Sequence, residues 1–202
     1  MDKIWRWLRG ARGKRMAPTP AEAISKYVRD HLMMHTQPHV PGKPLSPDVV
    51  ALGVLGMLGN QVAVDIGMPN VRGEHENGAL WEILFLQFFA IKTAAANILG
   101  ASQAYTDLMV ALDHHIIQAL PDKQALAELM KSRDASYEKV LRDFDPGRPG
   151  DTGLQLGYAF CSFCGIERDF ITGLAGAGFF SSTLSAAQDL IKGIMADSHV
   201  TA

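Results

Sequence analysis

Residues 79–99 read ALWEILFLQFFAIKTAAANIL, and this stretch decides the fold. It is apolar almost all round, and 21 residues are enough to cross a bilayer. Yet Glu82, Gln87, Lys92 and Asn97 recur every five residues, so no long uncharged core exists. A helix with this pattern is better placed at the centre of a bundle, surrounded by other helices, than in lipid.

The flanking sequence supplies those helices. Thr19-Pro20-Ala21-Glu22 is a capping box with proline at the first helical position, followed by Ile24, Tyr27, Val28 and Leu32 at helical spacing. A helix is predicted near 19–35. Pro38, Pro41, Pro44 and Pro47 come next, at the three-residue period of polyproline II. They read as a stiff connector, with a ligand for a proline-recognition groove as the sharper alternative. Ser46 and Pro47 then open a helix over 47–65. Its Gly53, Gly56 and Gly59 are expected to seat a close neighbour, because glycine inside a helix otherwise costs about 1 kcal/mol relative to alanine.

Further helices are predicted over 102–120, 122–143, 154–172 and 182–196. Ser102 caps the first and Pro121 stops it. The second carries Leu126, Leu129, Met130, Tyr137, Val140 and Leu141 on one face, with Glu138 and Arg142 as an outer pair. FDPGRPGDTG (144–153) reads as a loop, and the glycine-rich 173–178 as a hinge or close-packing segment between the last two helices. No alternating run bounded by turn residues appears. The expected fold is therefore all-α, a bundle of six or seven helices spanning 18–202, with residues 1–17 as a separate basic amphipathic arm.

Charge is distributed unevenly. Of 19 basic and 21 acidic residues, six and one fall in residues 1–16, giving that segment +5 and leaving 13 and 20 for the rest. On a helical wheel Ile4, Trp5, Trp7, Leu8 and Ala11 fill an arc of about 160°, with Lys3, Arg6, Arg9 and Lys14 outside it. Arg12 and Arg15 intrude on the arc. Tryptophan favours the headgroup boundary, and basic residues favour an anionic leaflet. Lys3, Ile4, Trp5, Arg6, Trp7, Leu8 and Arg9 are thus the candidate contact residues for an anionic membrane or an acidic protein surface. A body with this excess of acid does not suit nucleic acid. A faint helix-turn-helix spacing at Ala63–Gly67 runs into Pro69 and the acidic Glu74-His75-Glu76. No apolar segment follows the basic arm as a secretory signal requires, and two cysteines give no disulfide framework. The expected setting is cytoplasmic, peripheral to the membrane, with homo-oligomerisation left open.

Chemistry-bearing residues are sparse. Cys161-Ser162-Phe163-Cys164 lies among aromatics inside a predicted helix, whereas a redox cysteine pair sits at a helix N-terminus. His31 and His35 stand one turn apart, and with Cys161 and Cys164 they make a Cys2His2 alternative, set against the plain expectation of no metal and no cofactor. Asp143, Asp145 and Asp151 fail the calcium-loop pattern, with arginine at loop position 6 and leucine at position 12. Glu167-Arg168-Asp169 reads as a solvated or salt-bridged face. The leading expectation is a non-enzymatic interaction protein that docks through its arm. The alternative is a helical enzyme or small-ligand protein with an interior site drawn from Glu82, Lys92, His31, His35 and His114 or His115. The aromatics Trp81, Phe85, Phe88, Phe89, Phe160 and Phe163 serve either a hydrophobic ligand or the core.

Overall fold

The computed structural model describes residues 19–35, 45–61, 76–143, 149–166 and 170–199. Within them are seven helices and no strand: α1 (Pro20–His35), α2 (Pro47–Gln61), α3 (Glu76–Leu99), α4 (Gln103–Ala119), α5 (Lys123–Asp143), α6 (Pro149–Phe163) and α7 (Phe170–His199). The all-α bundle expected from the sequence is what forms. The arm, Pro38, Pro41 and Pro44, residues 62–75, Asp145 and Glu167-Arg168-Asp169 lie outside the described residues.

Local chemistry sets the helix ends. At α1 the Thr19 backbone N–H donates to Glu22 Oε2 at 2.8 Å, and the Glu22 N–H donates to Thr19 Oγ1 at 3.3 Å. This is the reciprocal capping box read from the sequence. Ser46 and Ser102 accept from Val49 and Tyr105, and Asp122 accepts from Ala125 in the same way. Leu120, held extended before Pro121, closes α4. Gly100 ends α3 in the left-handed conformation at φ 55°.

α3 organises the core. Residues 81–91 are buried without a break. One side of the helix, with Trp81, Leu84, Phe85, Phe88 and Ile91, packs with α1, α2, α4 and the start of α5. The other, with Ile83, Leu86, Phe89 and Ala90, packs with Tyr137 of α5, Leu156 and Phe160 of α6 and Phe180 of α7. Each leucine, isoleucine or phenylalanine among them stabilises the fold by roughly 1.5–3 kcal/mol when fully buried. By length and composition alone, Gly78–Leu99 and Phe170–Ala196 are both apolar enough to cross a membrane. Burial separates them: the fold encloses 67% of the α3 window and 33% of the α7 window.

Two expectations about glycine are corrected. Gly53 faces open space, and a Cβ on Gly56 would meet only Val28 Cγ1, at an ordinary 3.6 Å. These glycines do not permit an unusually close approach; the surroundings of Gly59 lie outside the described residues. The close crossing is elsewhere, between α6 and α7. Instead of separate helices at 154–172 and 182–196, α6 already begins at Pro149 and ends at Phe163, and α7 runs unbroken through 173–178. Gly157 packs against Gly173, and Gly153 against Ala177, so the two helices run antiparallel. A side chain at Gly157 would meet the Gly173 backbone and force the helices apart, whereas one at Gly173 would meet the ring of Tyr158 at 2.9 Å.

Candidate functional site

Two polar clusters stand out among the described residues. The first links α3 to α5. Glu82 is buried in the first half of α3 and receives two hydrogen bonds from Arg133, Nε to Oε2 at 2.8 Å and Nη2 to Oε1 at 2.7 Å. The guanidinium carbon also lies 3.9 Å from the centre of the Phe163 ring. This is the fork-to-fork geometry that makes arginine suited to a buried carboxylate. Burial pushes the Glu82 carboxyl above the usual range, against the pull of Arg133. Further along α3, Lys92 Nζ donates to Asp134 at 2.8 Å and to Asp113 of α4 at 3.4 Å. Burial works against the Lys92 charge, but the two carboxylates outweigh it and its pKa is raised. Burial likewise raises Asp134, with Lys92 opposing.

Tyr137 stands one turn beyond Arg133. Its ring packs against Phe89 and Phe163, and its hydroxyl is buried with no hydrogen-bond partner among the described residues. Burial, and then the nearby Glu82, hold that hydroxyl firmly protonated.

Cys161 and Cys164 close the same region. The Ile166 N–H donates to the Cys161 carbonyl at 3.0 Å and the Gly165 N–H to Ser162 at 3.2 Å, with Gly165 at φ 70°. This Schellman motif ends α6 and puts both cysteines in its last turn. That is the negative end of the helix dipole, opposite to where a thiolate is favoured. Both thiols are buried, and burial pushes Cys164 well up.

The second cluster ties α1, α2 and α4 together. His115 Nε2 lies 3.0 Å from Asp48 Oδ1, and Nδ1 lies 2.9 Å from the Tyr27 hydroxyl. A carboxylate only accepts, so Nε2 carries the proton; in the neutral ring Nδ1 then accepts from the tyrosine. His31 stacks on Tyr27 with ring centres 3.8 Å apart, and its Nδ1 donates to the Tyr27 carbonyl at 2.8 Å. Burial lowers the His115 pKa, although Asp48 opposes it, while His114 and His31 add smaller pushes downward. Burial and then Asp48 raise Tyr27.

A hydroxyl–imidazole–carboxylate line is the order in which a hydrolase activates a nucleophile. Its three members come from α1, α4 and α2, so the line clips those three helices together.

The residues singled out in the sequence therefore divide. Glu82 and Lys92 share α3, and each pairs with a neighbour on α5. His31 and His115 come together, with ring centres 6.5 Å apart. His114 is exposed, its ring set edge-on to that of His115 with centres 5.3 Å apart. The side chain of His35 lies outside the described residues. His31 sits with Tyr27 and His115, whereas Cys164 packs in the cluster of Tyr137. Among the described residues no three His, Cys, Asp or Glu side chains are grouped as a metal site. The arm residues Lys3, Ile4, Trp5, Arg6, Trp7, Leu8 and Arg9 lie outside the described residues.

Sequence reasoning missed Asp48, Arg133 and Asp134 as partners. A signal existed for the α5 pair: Arg133 and Asp134 fall on the same helical stripe as Leu126, Leu129, Met130 and Tyr137, where charge implies a buried partner.

One apolar cavity of about 400 Å³ opens where the starts of α2 and α4 meet the ends of α3 and α7. None of the polar residues above lines it. Comparison of the chain with protein-family models, curated proteins and solved structures gives no match.

Proposed function

We propose that this chain is a non-enzymatic interaction protein that docks on an anionic membrane surface through residues 1–16. The observation that carries this reading is the coincidence, in one short segment, of a +5 charge with the Ile4, Trp5, Trp7 and Leu8 arc. Basic residues beside an anionic leaflet contribute about 1 kcal/mol each, so the arm gains roughly 5 kcal/mol before the cost of ordering it.

Two features of the bundle support the reading. Glu82, Lys92 and His115 each bind a residue on another helix, which accounts for these interior polar groups as ties between helices. Phe170, Ile171 and Leu174, at the start of α7, are 58%, 60% and 48% exposed. They form an apolar patch of the kind that marks an interaction surface.

The experiment is co-sedimentation of the full chain with phosphatidylcholine vesicles, with and without phosphatidylserine. Binding should require the anionic lipid and weaken as salt rises. It should be lost when Lys3, Arg6 and Arg9 are changed to glutamate in the full chain. Protein that ignores anionic vesicles, or a charge-reversed variant that binds them equally, removes this function. Binding to polyglutamate without binding to vesicles would transfer it to an acidic protein surface.

A further inference from the structure

We propose that the cavity between α2, α3, α4 and α7 is a binding site for a small molecule with one alkyl or aryl chain and a protonated amine. Its volume, about 400 Å³, lies within the range of small-ligand sites. Val50, Leu99, Leu108 and Ile191 give it an apolar wall. Leu99 and Leu108 belong to, or pack on, the core around α3, so the inner wall is fixed by the fold rather than by loops. Such a wall favours a hydrocarbon chain and offers its head group nothing.

The head group is selected by Asp107. It is the one ionisable residue lining the cavity among those described, and no lysine, arginine or histidine accompanies it. Asp107 is exposed at the opening, and Oδ1 accepts from Gln103 Nε2 at 2.7 Å. Gln103 is neutral, so this bond leaves the carboxylate's charge in place. A carboxylate beside an apolar cavity repels an anionic amphiphile and attracts an ammonium. Among ligands with the same chain, charge complementarity orders the amine before the alcohol and the alcohol before the acid. The site does not depend on the arm: failure of vesicle binding leaves it untouched, and its own failure leaves the arm untouched.

The test is calorimetric titration of the full chain at pH 7 with decylamine, decan-1-ol and decanoic acid. The amine should bind saturably at one site per chain and raise the melting temperature by mass action. An exposed charge contact contributes a factor of about two to five, so the amine should exceed the alcohol by that margin and the acid by more. Asp107→Asn should bring the three ligands close to one another. Ala104→Trp, at an exposed lining position on the first turn of α4, should fill the mouth and abolish binding. Its melting temperature without ligand, unchanged from the parent, shows that the loss is not unfolding. A second copy of the chain is the rival occupant, and light scattering detects it. The proposal is overturned if none of the three binds saturably, or if the acid binds as tightly as the amine. It is equally overturned if Ala104→Trp retains the affinity, or if the parent is a dimer that Ala104→Trp dissociates.

Discussion

A Cβ atom built on Gly157 would overlap the carbonyl oxygen of Gly173, so the backbones of α6 and α7 touch at that point. The obstacle is main chain rather than a side chain that can turn away. Gly157→Ala therefore has to separate two helices that carry Phe160 and Phe180 into the core. Overpacking of this kind costs typically about 1–3 kcal/mol, and the rigid obstacle here places Gly157→Ala at the upper end. Gly53→Ala, facing open space, should do the reverse and stabilise by about 0.4–1 kcal/mol. Urea unfolding of the two variants beside the parent reads both signs. A neutral Gly157→Ala would mean that the helices are not in contact there.

The Glu82–Arg133 pair makes a second, separable prediction. Removing either partner leaves a buried charge alone, so Glu82→Leu or Arg133→Met should cost about 3–5 kcal/mol. Replacing both with apolar residues of similar size, Glu82→Leu with Arg133→Met, should recover most of that loss, because the pair's attraction is offset by its desolvation. The four unfolding free energies close a double-mutant cycle. A double variant as unstable as the sum of the singles would show that the two residues act independently.

The legibility of this fold in its sequence follows from where the information is local. The capping box at Thr19, the caps at Ser46 and Ser102 and the stop at Pro121 act over three or four residues, and each appears in the structure as read. The apolar run at 79–99 announces a surrounded helix because no solvent face could be drawn on it. The glycines were not legible in this way. Glycine at 53 and 56 and glycine at 157, 173 and 176 carry the same local penalty, and only the partner helix decides which of them permits a close approach. The interior charges were half legible. Glu82 and Lys92 stand out against an apolar helix, but their partners are 51 and 42 residues away, and only the place of Arg133 and Asp134 on the apolar stripe of α5 sets them apart from its solvated charges.

Tyr137 offers a test of what an unpaired buried group costs. Its hydroxyl has lost water and has no protein partner among the described residues, a penalty of about 1–3 kcal/mol. Tyr137→Phe keeps the ring against Phe89 and Phe163 and removes the penalty. The variant should be more stable than the parent in thermal or urea unfolding. A clear loss of stability would mean that the hydroxyl is bonded after all.

The His115 clip makes stability depend on pH, and the direction follows from its pKa. Burial sets the folded value below the ordinary 6.5, so folding favours the neutral ring. Near pH 6 the unfolded chain therefore binds more protons at this position than the folded one, and stability rises with pH. The contribution is complete above pH 6.5 and is lost as pH falls through 6.5 towards the folded pKa; below that value both states are protonated and the loss ends. The groups acting on the ring are Asp48 from α2, His31 from α1 and the adjacent His114, and only Asp48 favours the charged form. Asp48→Asn retains an oxygen for the Nε2 proton but removes that charge. The variant's His115 should titrate lower still, and its stability should fall more steeply between pH 7 and pH 5. Histidine proton resonances followed against pH give the midpoints directly, and urea unfolding at the two pH values, compared with His115→Gln, isolates this residue from the other histidines. A His115 midpoint at or above 6.5 in the parent would show that the Asp48 charge outweighs burial, and the expected slope would change sign.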